Sequence, residues 1–113
     1  MDFLDKYASQ ITGITRIVIG LLFLEHGTVK VLSFPVGPAG IIELVGGALI
    51  VLGLFSRWAC FIASGEMAFA FFLAHFPRSP FPILNGGGEA VAFCFIFLLL
   101  AAIGPGAFAI NKK

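Results

Sequence analysis

Four long apolar stretches run along the chain, and short segments rich in proline, glycine or charge separate them. The stretches cover about residues 11–32, 39–54, 58–75 and 89–103. None of them alternates apolar and polar positions with the period of two that marks a half-buried strand, so each predicts a helix. Proline lacks an N–H donor and glycine is conformationally free, so both end helices. Breaks are therefore predicted near Pro35, Ser56, Asn85 and Gly104.

Length and composition predict that these helices lie in lipid. Each stretch has roughly 15–22 residues, close to the number that crosses the hydrocarbon core of a bilayer. Of the 113 residues, 59% are hydrophobic and 12% are charged, and the mean hydropathy is +1.06. A soluble domain is roughly 45–50% apolar, and one this short could not bury so much apolar surface. We therefore predict one domain, residues 1–113, with an all-α fold: an integral membrane four-helix bundle.

The basic residues indicate an orientation, because Lys and Arg concentrate on the cytoplasmic side of a membrane. If the chain crosses four times, Lys30 and Arg78 lie on one side. The other side holds the remaining basic residues, which are Lys6, Arg16, Arg57, Lys112 and Lys113. Both termini are therefore predicted in the cytoplasm, with the chain in the cell inner membrane. A net charge of +1 lacks the basic footprint of a nucleic-acid-binding protein, so membrane lipid is the expected surrounding.

Each predicted helix carries one carboxylate within or at the end of its apolar stretch. These residues are Glu25, Glu43, Glu66 and Glu89. An ionisable group at bilayer depth costs about 2.5–3.5 kcal/mol, so they are expected to face the interior of the bundle. Alternating helix directions place all four in the outer half, together with His26, His75, Lys30 and Arg78. The inner half has basic residues only at its rim, so one polar pocket is predicted, in the outer half.

Within this polar cluster, the predicted depth of each residue in the membrane separates the candidate catalytic residues from the candidate ligand-binding residues. His26 and Glu66 lie deepest and are the candidate catalytic residues, because intramembrane ionisable residues are functional by default. The candidate ligand-binding residues are Glu25, Lys30, Glu43, His75 and Glu89. Structural alternatives stay open, since Glu89 could cap a helix, Glu43 could join helices and Lys30 could reach the interface. No Glu-x-x-His pair of the di-metal kind occurs, so no metal site is expected.

Small and aromatic residues bear on packing around the cluster. Gly13, Gly20 and Gly27 recur every seven residues, which keeps them near one side of the first helix and allows a close helix neighbour. This neighbour could belong to the same chain or to a second copy, so a homo-oligomer is a candidate assembly. Phe23 and Phe69 flank the cluster and could line an aromatic pocket.

Several short motifs follow one another in order between residues 16 and 106. They are Arg16 with Gly20, Phe23-x-x-His26-Gly27-x-x-Lys30, Glu43-x-x-Gly46-Gly47, Gly53-Leu54-x-x-Arg57, Glu66, His75, Gly87-Gly88-Glu89 and Gly104-Pro105-Gly106. Their order and spacing resemble those of the DoxX family of small bacterial membrane proteins. The resemblance implies a four-helix membrane fold and a link to redox biology. Some relatives look like subunits of sulfur-compound:quinone oxidoreductases, and others accompany oxidative-stress enzymes. The tail after Gly106 departs from the family pattern, so the resemblance implies no role for it.

Two functions from different classes are left open by these residues. The first is the membrane subunit of a quinone-linked redox system, with His26, Glu43 and Glu66 exchanging protons and a partner redox subunit supplying electrons. The chain has no haem, flavin or cluster signature, so quinone is the one cofactor considered. The second is a non-catalytic membrane protein that binds a hydrophobic small molecule or anchors a partner enzyme. A proton or ion pathway is disfavoured because the inner half offers no relay residues.

Overall fold

The computed structural model describes residues 1–32, 37–82 and 86–113, and within these ranges all regular secondary structure is helical. The all-α prediction is therefore confirmed for the described chain. The predicted breaks at Pro35 and Asn85 lie outside the described residues. The elements are α1 (Asp2–Asp5), α2 (Ala8–Leu32), α3 (Pro38–Leu52), α4 (Ser56–Ala70), a π-helical segment (Phe71–His75) that continues α4, and α5 (Gly88–Ile103).

Proline and glycine set the two ends of α3. Pro38 occupies the first turn of α3, where its missing N–H would have no partner in the helix. The same helix ends at Gly53, which has a φ of 67° and donates its N–H to the carbonyl of Ile50. This left-handed residue closes α3 two residues before the predicted end of the stretch 39–54.

The α2 and α3 helices approach closely because glycines line their contact. A Cβ atom on Gly27 would meet the backbone of Glu43 and Leu44, and one on Gly47 would lie 2.8 Å from the backbone of Leu24. Gly20 is similarly tight against α3. The seven-residue glycine spacing on α2 thus has the packing role predicted for it, and here the neighbour is in the same chain.

The remaining contacts join α3 to α4 and α4 to α5. Ser64 on α4 donates its hydroxyl to the carbonyl of Cys94 on α5, with an O–O distance of 2.7 Å. The most deeply buried apolar side chains come from all four long helices. They are Phe23, Ile50, Cys60, Ala63 and Phe97.

Much of the apolar surface faces outward. The segments Ala8–Lys30 and Ser56–His75 are long and apolar enough to cross a membrane, yet only 22% and 33% of their most apolar windows is buried. A core helix of a soluble protein would be mostly buried, so this exposure favours a lipid neighbour. The longest dimension is 44 Å, close to the roughly 40–45 Å of a bilayer with its headgroups. The membrane-spanning bundle and its orientation stay predictions.

Candidate functional site

A cavity of about 270 Å³ opens where α2, α3, α4 and α5 meet, near the C-terminal end of α2. We name it the carboxylate cavity. Its polar lining consists of His26, Lys30, Glu43, His75 and Glu89, and its apolar lining includes Phe23, Met67 and Phe93. Four of the five predicted ligand-binding residues and one of the two predicted catalytic residues therefore line one space.

Lys30 and Glu43 form the deeper of two ion pairs in the cavity. The Lys30 Nζ atom lies 2.5 Å from Glu43 Oε2, and Glu43 is only 1% exposed whereas Lys30 is 46% exposed. Gly27 stands one turn before Lys30 on the same helix face, and its missing side chain lets α3 come close enough for this contact. A buried carboxylate is thus held by a cation that still reaches solvent.

His26 and Glu89 form the second ion pair, which joins α2 to the first turn of α5. His26 Nε2 lies 2.7 Å from Glu89 Oε1, and the side chains are 42% and 65% exposed. His26 Nδ1 lies 2.8 Å from the carbonyl of Leu22 and must donate, because a carbonyl only accepts. One further proton is then held between Nε2 and the carboxylate, so this pair can deliver a proton into the cavity.

Glu66 approaches the same site from α4, behind Glu43. Glu66, the other predicted catalytic residue, does not line the cavity, and its carboxyl group lies in the field of Glu43 and Lys30. The Oε2 atom of Glu66 is buried, and no hydrogen-bond partner for it is found within the described part of the chain. Glu66 is therefore a half-buried carboxyl group on α4 beside the Lys30–Glu43 pair.

His75 reaches the cavity rim because the helix changes its winding. The segment Phe71–His75 is π-helical, and the N–H of Phe76 donates to the carbonyl of Phe71, five residues earlier. One extra residue per turn rotates the side chains of the next turn about the helix axis, and such segments recur at functional sites. The sequence gives no signal for this turn.

Glu25 is placed apart from the other predicted site residues. It is exposed and does not line the carboxylate cavity, although it directly precedes His26. Successive residues on a helix point about 100° apart, and here this rotation turns Glu25 away from the cavity that His26 lines. Glu25 is therefore a useful internal comparison for its neighbour.

Aromatic rings form the floor of the cavity. Phe23 packs edge-on against Phe97, with ring centroids 4.8 Å apart, and the His26 ring stands edge-on to Phe93 at 5.8 Å. Phe23 thus lies where the sequence predicted it. The expectation for Phe69 is wrong, because this side chain is 66% exposed. Phe93 was missed, although its position four residues after Glu89 puts both on one face of α5.

A second polar site lies toward the other end of α2, around Arg16. The Arg16 side chain is fully buried. Its Nε donates to the carbonyl of Ile50 at 2.9 Å, one Nη to those of Pro105 and Ala107 at 2.6 and 3.1 Å, and the other to that of Phe108 at 2.8 Å. The sequence placed Arg16 only by depth and did not predict this enclosure, since counting charges cannot detect a guanidinium enclosed by backbone carbonyls.

The tail that follows α5 is part of this Arg16 site. The N–H of Ala107 donates to the carbonyl of Ser9 at 2.9 Å, and that of Asn111 to the carbonyl of Gly53 at 3.1 Å. A Cβ atom on Gly13 would collide with the carbonyl of Ala107. The tail is therefore packed between the start of α2 and the end of α3, a role that the sequence did not suggest.

Comparison with known proteins gives two matches. The DoxX family model matches residues 33–76. A protein of Haemophilus influenzae, described as "Uncharacterized protein", is 39% identical over 130 aligned residues, which cover 100% of this chain and 97% of that protein. No solved structure matches the chain.

Proposed function

This chain belongs to the DoxX family of membrane proteins, and on that premise we propose that it is the membrane subunit of a redox system whose carboxylate cavity binds a quinone headgroup. The observation that carries the proposal is the convergence of two ion pairs, His26 with Glu89 and Lys30 with Glu43, on one cavity with an aromatic floor. A quinone needs an apolar slot for its ring and a hydrogen-bonding group at each carbonyl oxygen.

The dimensions of the cavity suit a headgroup. Its volume of about 270 Å³ lies just below the roughly 300–1,000 Å³ of sites that enclose drug-sized ligands. A single substituted ring fits, and an isoprenoid tail would extend into lipid. His26 and Lys30 are four residues apart on α2, which is about 6 Å along the axis. Their side chains therefore enter the cavity from successive turns of one helix face.

Protonation is the part of the reaction that these residues support. A quinone takes up two electrons and two protons when it becomes a quinol. The His26–Glu89 pair borders the cavity, and the Glu66 carboxyl group lies in the field of Glu43 and Lys30. His26 and Glu66 would each act as a positioned acid, which is the chemistry that general acid catalysis requires. In this proposal a partner redox subunit supplies the electrons.

The proposed location is the cell inner membrane, with several crossings and both termini in the cytoplasm. The start of α2 and the tail lie at the same end of the molecule, where Ser9 contacts Ala107. Lys6, Lys112 and Lys113 belong to these segments, and basic residues favour the cytoplasmic side. The carboxylate cavity, at the far end of α2, would then open toward the outer face.

Quinone binding to the full chain in mild detergent tests the proposal. We expect a bound quinone to be retained by wild type and by Glu25→Gln, and binding to fall at least tenfold in His26→Gln and in Glu66→Gln. Glu25→Gln is the matched control, because it changes a neighbouring carboxylate outside the cavity. Each variant is checked for an unchanged melting temperature at low quinone. Equal quinone affinity in all four proteins would rule the cavity out as the binding site.

A non-catalytic role is the second candidate function, and one observation favours it. Lys30 and His26 are already paired with carboxylates from other helices, so the pairs could serve only to lock α2 against α3 and α5. The protein would then bind a hydrophobic molecule or anchor a partner enzyme. Under this alternative Glu66→Gln lowers the melting temperature, and added quinone shifts neither wild type nor variant.

A further inference from the structure

A larger cavity, of about 660 Å³, lies where the first turn of α4 meets the end of α5 and the tail. We name it the basic cavity. Its lining consists of Arg57, Trp58, Phe61, Ala101, Lys112 and Lys113. On α4 its lining ends at Phe61, and the lining of the carboxylate cavity begins at Met67, about 9 Å further along the helix.

Charge is one-sided in the basic cavity. Three of its six lining residues are cations and none is acidic. A second cavity beside it, of about 430 Å³, shares Arg57 and Lys112. Three like charges around one space repel each other unless an anion lies among them, so the cavity is complementary to a negatively charged group.

Hydrogen bonds hold the Arg57 side chain and the backbone of the tail that carries Lys112 and Lys113. Arg57 Nε donates to the carbonyl of Ala101 at 2.9 Å, at the C-terminal end of α5, where a cation is favoured by the helix dipole. The N–H of Arg57 donates to the backbone carbonyl of Lys113 at 3.1 Å. The Asn111 side-chain oxygen accepts the N–H groups of both Phe55 and Lys113. These bonds fix the tail against the start of α4, so the cationic wall exists before any ligand arrives.

Two aromatic side chains give the cavity an apolar edge. Trp58 is 67% exposed and Phe61 is 57% exposed. Because they are three residues apart on α4, they share a face, and this face belongs to a helix long enough to span a membrane. Trp beside basic residues at a helix end is the pattern found where helices cross the headgroup layer.

We propose that the basic cavity binds the phosphate headgroup of an anionic phospholipid, with Arg57, Lys112 and Lys113 around the phosphate and Trp58 and Phe61 against the first methylenes of the lipid. A phosphate group is the chemistry that three cations recognise, and free phosphate would share it. Trp58 and Phe61 favour a lipid over a free anion, because only the lipid has methylenes that pack against these side chains.

Native mass spectrometry of the full chain, in detergent doped with phosphatidylglycerol or phosphatidylcholine, tests this site. Lys112→Gln removes one exposed cation that lines both neighbouring cavities, and Lys6→Gln removes one from outside them. We expect phosphatidylglycerol affinity to fall about fivefold in Lys112→Gln, the factor typical of one basic residue at an anionic surface. Lys6→Gln should leave it within about twofold of wild type. Trp58→Leu should weaken lipid binding and leave the melting temperature unchanged.

Three results would contradict the proposed lipid site. Equal losses in Lys112→Gln and Lys6→Gln would mean attraction to the whole surface and would overturn the site. Equal affinity for phosphatidylcholine and phosphatidylglycerol would remove the role of charge. A thermal shift with inorganic phosphate alone that matches the shift with phosphatidylglycerol would make a free anion the occupant and overturn the lipid assignment.

Discussion

Arg16 and Lys30 lie on the same helix, about 21 Å apart along its axis, and the protein satisfies their charges in opposite ways. Arg16 is fully buried and donates to backbone carbonyls of α3 and of the tail. Lys30 is 46% exposed and pairs with the side chain of Glu43. Backbone carbonyls cannot turn away or take up a proton, whereas side-chain carboxylates can do both. The Arg16 site is therefore suited to hold the fold, and the carboxylate cavity is suited to change partners.

Replacing Arg16 should give the largest effect on stability. Arg16→Ala removes the donor for several buried carbonyls, and we expect a loss of about 3–5 kcal/mol in the free energy of unfolding. Arg16→Lys should recover only part of it, because an ammonium lacks the planar fork of a guanidinium. Thermal or denaturant unfolding in detergent measures both, with the exposed Arg78→Ala as control. A change in Arg16→Ala no larger than in the control would show that the guanidinium does not hold the tail.

Placing a methyl group in the tight contact between α2 and α3 should give the next largest loss of stability. Gly27→Ala would push a methyl group into the backbone of Glu43 and Leu44, and backbone atoms cannot turn aside. We expect a loss of about 3 kcal/mol, at the upper end for overpacking, together with weaker Lys30–Glu43 pairing. Gly65→Ala is the matched control, because its methyl group would meet no atom within 4 Å. Equal melting temperatures for the two variants would contradict the close approach.

Replacing Lys30 and replacing Glu43 should lower the free energy of unfolding by different amounts. Lys30→Met leaves a carboxylate that is 1% exposed without its cation, and we expect a loss of about 2 kcal/mol. Glu43→Gln should cost less, because the half-exposed Lys30 ammonium can turn to water. Unfolding of both variants under the same detergent conditions makes the comparison. Equal losses would indicate that Lys30 is as confined as its partner.

The His26–Glu89 pair should contribute least to the free energy of unfolding. Both side chains are well exposed, and exposed ion pairs contribute about 0.2–1 kcal/mol. A double-mutant cycle of His26→Gln with Glu89→Gln should therefore give a coupling below about 1 kcal/mol, even where quinone affinity falls tenfold. A coupling of several kcal/mol would give this pair the same structural role as the Arg16 site.

Residue patterns along the chain predict the helices well because apolar runs and their proline or glycine breaks are local signals. The polar cluster around His26 and Glu43 could also be predicted, since counting residues along a spanning helix gives depth. The depth of a residue in the membrane does not tell in which direction its side chain points around the helix axis. This explains why Glu25 was grouped with His26, although the two point about 100° apart.

Other features depend on partners that are distant in sequence. Arg16 donates to Pro105, 89 positions later, and nothing near Arg16 indicates that these carbonyls would enclose it. Phe55 has a φ of 49°, unusual for a residue with a side chain, and it is held by the Asn111 side chain from the far end of the chain.

The enclosure of Arg16 imposes an order on biosynthesis. When α2 leaves the ribosome, the carbonyls of Pro105, Ala107 and Phe108 do not yet exist. The guanidinium cannot reach these partners until residues 105–108 are made, and only then can this end of the molecule close. Closure is thus a late event of high contact order, which tolerates no truncation before residue 108.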